Sequence, residues 1–191
     1  MKFLSRPSLA ALAAALTLSG CIDIDVTATI TAADRAEVSG HMEIQRMILD
    51  NFGGTQHFCN ADEGGTLTLT DTTARCDFGR TGAFAEVFPQ ASDDAASTVT
   101  DLGDGTVRVS IPLGDVMGDM SDVSANPAMA AQFRPMLEGH GVTIRVAGAE
   151  IVSSNGEIAP DGLSASYTFD LVDVLNPDLS LPAAFETVVR Y

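Results

Sequence analysis

Basic residues are what this sequence has least of. Lys2 is its one lysine, and 26 acidic side chains stand against ten basic ones. Two of those ten, Lys2 and Arg6, precede Cys21. The rest of the chain holds eight arginines against 26 acids, a formal charge of −18. Such a surface repels phosphate backbones, because nucleic-acid binding depends on Lys and Arg releasing counterions. It gains nothing from anionic headgroups either, since these attract polybasic segments. Nucleic acid is therefore excluded as a partner, and any membrane attachment has to be hydrophobic. Long apolar runs are missing too: "LAALAAALTL", at 9–18, has about half the roughly 20 residues that a spanning helix needs. Also absent are G-x-S-x-G, H-E-x-x-H, Walker and C-x-x-C patterns. The three histidines, His41, His57 and His140, stand far apart in the chain. We expect no catalytic residue, no cofactor and no resident metal, and read the chain as a non-enzyme.

What is present begins with an address. Met1, Lys2 and Arg6 belong to a short positive segment, and the apolar run at 9–18 has the length of a signal-peptide core. Its ending, Leu18-Ser19-Gly20-Cys21, is similar to the bacterial lipobox, in which an aliphatic and two small residues precede an obligatory Cys. That resemblance implies cleavage of 1–20, a diacylglycerol on the Cys21 sulfur and an acyl chain (palmitate) on its new amine. Two or more chains anchor stably where one is marginal. The alternative is a plain secreted protein whose Cys21 happens to follow the cut. The expected location is the bacterial cell envelope, lipid-anchored and facing the periplasm. Ile22 rather than Asp follows Cys21, which by resemblance to Gram-negative lipoproteins favours the outer membrane over the inner.

Setting Cys21 aside leaves Cys59 and Cys76, an even pair in an oxidising compartment, and a disulfide is the expected state. For a loop of this size the chain-entropy model gives about 3 kcal/mol of stabilisation. The alternative is a metal site from His57-x-Cys59 with Cys76, which lacks the paired spacing of zinc sites.

A hydrophobic content of 46% suffices for a core, and 21–191 suits a single domain. Residues 22–30 and 36–44 alternate apolar and polar without a break, which predicts a hairpin that starts almost at the anchor. A second hairpin, 97–102 with 106–113, turns at Asp104-Gly105. Short helical pieces are expected at 45–52 and 82–88. The main helix, at about residues 126–139, has Asn126 as its cap and Pro127 at its first position. Met129, Phe133, Met136 and Leu137 form its apolar stripe, Pro135 should kink or end it, and Gly139-His140-Gly141 stops it. Strands follow at 142–146, 150–153 and 163–171, with a turn at Asn155-Gly156, and a last strand closes the chain. The fold class is α+β: an antiparallel sheet of hairpins packed against one main helix and short helical pieces.

Two clusters invite metal readings. Asp115, Asp119 and Asp122, with Asp93 and Asp94, offer hard oxygens for Ca²⁺, but the EF-hand spacing is absent and a solvated acidic loop is expected. Met117, Met120, Met129 and Met136 offer thioethers, and core packing by adaptable Met is the plainer account.

In order, the lipobox, the immediate hairpin, the "DGTVRVSIPL" strand, the helix and "GVTIRVAGAEIVSSNGEIAPDGLSASYTFDL" resemble the LppM-type bacterial lipoproteins. There an apolar strand leads through Ser-Asn-Gly and Asp-Gly turns into a final aromatic-containing strand. The matching residues are Val152-Ser153-Ser154-Asn155-Gly156, Asp161-Gly162 and Tyr167. This sequence departs from the pattern in having no C-terminal membrane helix and no Trp near Tyr167. The resemblance implies an α+β envelope domain with a lipid-binding role and no catalytic residues to carry over. The expected partners are the membrane, through lipid on Cys21, and a lipid, apolar ligand or protein of the envelope. Alternative readings are an assembly protein presenting an acidic face and a calcium-responsive acidic module.

Overall fold

The alternation after Cys21 is long enough to build two full strands. A computed structural model describes residues 22–51, 55–61, 64–87, 97–114, 126–176 and 179–191. In it β1 (Ile22–Ala32) and β2 (Arg35–Gln45) pair antiparallel, with Ile22 opposite Ile44 and Ile30 opposite Ala36. Ala28, Ile30, Ala36 and Val38 are buried on one face, and Asp23, Asp25, Thr27 and Thr29 alternate onto the other.

Two short helices, α1 (Arg46–Asn51) and α2 (Thr55–Phe58), lead to β3 (Thr66–Leu69) and β4 (Thr73–Ala83). β4 lies along the whole free side of β2, from Gln45–Thr73 to Arg35–Ala83. After α3 (Phe84–Val87), β5 (Thr98–Gly103) and β6 (Thr106–Pro112) form the second hairpin, with Asp104 left-handed at φ 54° in its turn. Then come α4 (Pro127–Leu137), β7 (Gly141–Ala147), β8 (Glu150–Ser154), β9 (Glu157–Ile158) and β10 (Ser164–Asp170). A 3₁₀ turn (Leu171–Leu175) and β11 (Ala184–Arg190) complete the chain.

The strands form two sheets, ordered β3-β4-β2-β1-β7-β10-β9 and β5-β6-β11-β8. Their inner faces share one core: Ala28, Val38, Val146 and Ala165 from the long sheet meet Val107, Val109, Phe185 and Val189 from the short one. The Tyr167 and Phe185 rings bridge the layers with centroids 6.0 Å apart. Buried Thr187 is satisfied by the Ser154 hydroxyl at 2.9 Å.

The architecture is α+β and mostly sheet, but it differs from the expected sheet-on-helix arrangement. β1 and β7 pair in parallel, Ile24 beside Val142 and Ala28 beside Val146. β7 and β8 lie in different sheets, so the chain crosses the sandwich at Gly148-Ala149. α4 packs on the 3₁₀ turn through Ala130, Phe133 and Leu137, with Leu171, Val172 and Leu175. Met129, expected in the core stripe, is 40% exposed. The reason is area: a two-turn stripe cannot cover a seven-stranded face, and the second sheet can. α4 also runs two residues past Pro135, because in the last turn that residue removes only one backbone donor. No helix among the described residues is long and apolar enough to cross a membrane.

The Ser-Ser-Asn-Gly turn is a lock within the short sheet, between the end of β8 and β11. The Asn155 side chain donates to Ala184 O at 2.9 Å and accepts from Glu186 N at 2.8 Å, so its amide stands in for a strand residue beside β11.

Candidate apolar site

The long sheet is larger than the short sheet that covers it. On its inner face the cross-strand pairs run in rows, since paired residues point the same way. Ile22 stands beside Ile44; Ile24 lies between Met42 and Val142; Val26 lies between Gly40 and Ile144. Phe78 on β4 and Tyr167 on β10 extend the last row at either end. A Cβ at Gly40 would sit 3.0 Å from Phe78 Cζ, so the bare glycine leaves room for that ring. Farther along β1, Ala28 and Ile30 are sealed at 0% and 3% exposure under the short sheet. Ile22, Ile24, Val26, Met42, Ile44, Phe78 and Tyr167 are only half-buried.

This strip has a fixed frame. On the β4 side α1 buries Ile48 and Leu49, and the Cys59–Cys76 disulfide (Cα–Cα 5.4 Å) ties the end of α2 to the buried inner face of β4. At the far side the 3₁₀ turn and α4 continue from β10. The first residues of β1 are latched. Asp23 accepts from Gly141 N at 3.1 Å and contacts His140 Nδ1 at 3.1 Å, joining β1 to the start of β7. Tyr167 carries the one ionisable group in these rows. They therefore offer a ligand dispersion and release of water, rather than acid–base chemistry.

The outer face of the same sheet is polar. His41 lies between Asp25 and Asp77, and Asp23 is paired with Glu43. Arg75 binds Asp77 (Nη2–Oδ1 2.9 Å) and approaches Glu43 at 3.7 Å. The hydrogen bond that Arg75 donates to Asp77, aided by both carboxylate charges, raises the Arg75 pKa above its ordinary value. Among the described residues no three His, Cys, Asp or Glu side chains are grouped to hold a metal ion. With Cys59 and Cys76 bridged, neither thiolate is available to the alternative metal reading.

Several sequence-predicted residues lie outside the described residues: Cys21 and the signal segment 1–20, Asp93, Asp94, Asp115, Asp119, Asp122, Met117 and Met120. Of the strip itself, β1 and β2 were legible from alternation, and Phe78 was not. The signal for it is the period-two series Ala74, Cys76, Phe78, which breaks off at Gly79-Arg80.

No family model and no curated protein matches the chain. A solved structure that it is similar to is the NMR structure of the folded domain of Mycobacterium tuberculosis LppM. The two are 15% identical, with 90% of this chain and 91% of that one covered and a TM-score of 0.46.

Proposed function

We propose that this chain is a non-catalytic, membrane-anchored lipoprotein of the bacterial cell envelope whose domain binds a lipid or similar apolar ligand. The anchor reading rests on the lipobox ending at Cys21 behind a charged and an apolar segment. The observation that carries the ligand reading is the half-buried strip around Ile24, Val26, Phe78 and Tyr167, framed by a disulfide and free of charge. A sandwich built only for stability would seal such a surface as it seals Ala28 and Val146. The domain faces the periplasm, with the outer membrane as the favoured site.

Native mass spectrometry of the mature protein tests both parts. The expected spectrum shows diacylglycerol and acyl mass on Cys21, and a second, non-covalent lipid mass lost at higher collision energy. Unmodified Cys21 overturns the anchor. A lipidated chain that ionises without any ligand, and takes up none from added phospholipid, overturns the binding reading.

A second reading draws on the outer face, where Asp23, Asp25, Glu37, Glu43, Asp77 and Asp170 outnumber Arg35, Arg75 and Arg145. On this reading the protein is an assembly element that presents acids to a basic envelope partner. Mild crosslinking in the envelope should then recover one dominant protein.

A further inference from the structure

The Asp23 latch leaves the domain almost no freedom relative to Cys21. β1 is already paired with β2 and β7 from Ile22 and Ile24 onward, and the Asp23 carboxylate is fixed to Gly141 and His140. One residue of chain spans about 3.8 Å. An acyl group on Cys21 therefore holds the start of β1 within a few ångströms of the bilayer surface. Whatever lies at that end of the sheet lies against the membrane.

Two exposed apolar side chains on separate elements are gathered there. Met47, 65% exposed, is the second residue of α1, two positions past the end of β2. Leu69, 45% exposed, ends β3 in the row that runs Leu69, Ala74, Ile44, Ile22. Arg46 N donates to Thr72 O at 2.9 Å, which joins the start of α1 to the β3–β4 turn at that same end of the sheet. Nearby charge comes from exposed Asp50 and Asp71 with Arg46, and from Asp23 and Glu43 with Arg75 in the adjacent row, so acids outnumber bases. That balance gives no attraction to anionic headgroups. It suits a zwitterionic surface entered by apolar contact, as monotopic proteins do. The opposite end of β1 lies about 30 Å away at some 3.3 Å per residue, so the exposed Leu163 beside Gly148 stays in water.

We infer that the β1-start end of the domain, through Met47 and Leu69, is a membrane-contact surface that docks on a zwitterionic bilayer. This rests on the Cys21 anchor proposed above. The absence of tryptophan makes the test direct. Met47→Trp, Leu69→Trp and Leu163→Trp each give the full, mature, lipidated chain a single indole at an exposed position. Each is reconstituted in phosphatidylcholine vesicles with plain or brominated acyl chains, and retained folding is checked by circular dichroism. Bromine should quench the indoles at 47 and 69 by at least about twofold, as expected for side chains at the headgroup–acyl boundary, and leave that at 163 unchanged. Equal emission at 47 and 69 in both vesicles, or equal quenching at all three sites, overturns the proposal. Mass spectrometry of the same samples reads Cys21 separately. Modified Cys21 with unquenched indoles removes the docking surface and keeps the anchor. Unmodified Cys21 with indoles at 47 and 69 quenched on added vesicles removes the anchor and keeps the surface.

Discussion

Gly156 sits where the chain passes back from the short sheet to the long one. A Cβ there would lie 2.7 Å from Phe185 Cε2 and closer still to the Ser166 carbonyl oxygen. Neither neighbour can give way. Phe185 is fully buried, and Ser166 is held in β10 between Arg145 on one side and Glu157 on the other. Gly156→Ala should therefore cost about 1–3 kcal/mol, the usual range for overpacking a close-packed site. In a chain of this size each kcal/mol lowers Tm by about 2–4 °C, so a fall of about 2–12 °C is expected. The assay is urea unfolding of the oxidised protein followed by circular dichroism. Gly114→Ala is the control, because nothing lies within 4 Å of its Cβ position. Phe185→Leu in both backgrounds completes a cycle. Removing the ring edge should relieve part of the alanine's cost, giving a coupling of at least about 0.5 kcal/mol. A Gly156→Ala midpoint equal to that of Gly114→Ala, or strictly additive substitutions, would refute the close-approach account.

Three further outcomes follow from the contacts described. Reduction of Cys59–Cys76, a separation of 17 residues, should lower stability by about 3 kcal/mol and be read as a shift in urea midpoint with reductant; an unchanged midpoint contradicts it. Asp23→Ala removes the acceptor for Gly141 N and the partner of His140; because Asp23 is 46% exposed, about 0.5–1.5 kcal/mol is expected. Hydrogen exchange at the Gly141 amide should speed up, and unchanged protection there rules out the latch. Asn126→Ala removes the cap that accepts from Ala128 N and Met129 N and should cost α4 about 0.5–2 kcal/mol. Since α4 packs on the 3₁₀ turn, exchange should rise in α4 while β1, β2 and β4 keep their protection.

Part of the site was legible because local rules sufficed for it. Unbroken alternation at 22–30 and 36–44 marked β1 and β2, and five of the seven half-buried strip residues lie on them. Asp104-Gly105 marked the second hairpin, and the pair of cysteines left once Cys21 is set aside marked the bridge. Phe78 escaped because the later half of β4, "DFGRTGA", has two glycines and an arginine where a core strand would have apolar residues. β2 holds that stretch in the sheet by backbone pairing, which does not depend on side-chain type. Met129 was placed in the core by helical spacing. That spacing marks a face but not what covers it, and here only a single turn does.

By itself the sequence determined the acidic character, the strand pattern, the capped helix and the pairing of Cys59 with Cys76, and it carries the lipobox resemblance on which the proposed anchor rests. Each is a property of neighbouring residues or of a count, and period-two sterics or turn chemistry act within a few residues. Tertiary structure decided the rest: which strands share a sheet, that β7 joins β1 in parallel, that Asp23 is a latch, and that Ile22, Ile24, Val26, Met42, Ile44, Phe78 and Tyr167 stay half-buried in rows that also hold sealed Ala74, Val142 and Ile144. Those outcomes depend on contacts between segments more than 100 residues apart, such as Asp23 with His140 at a separation of 117. They are settled by which surfaces can bury each other, and no local pattern carries that comparison.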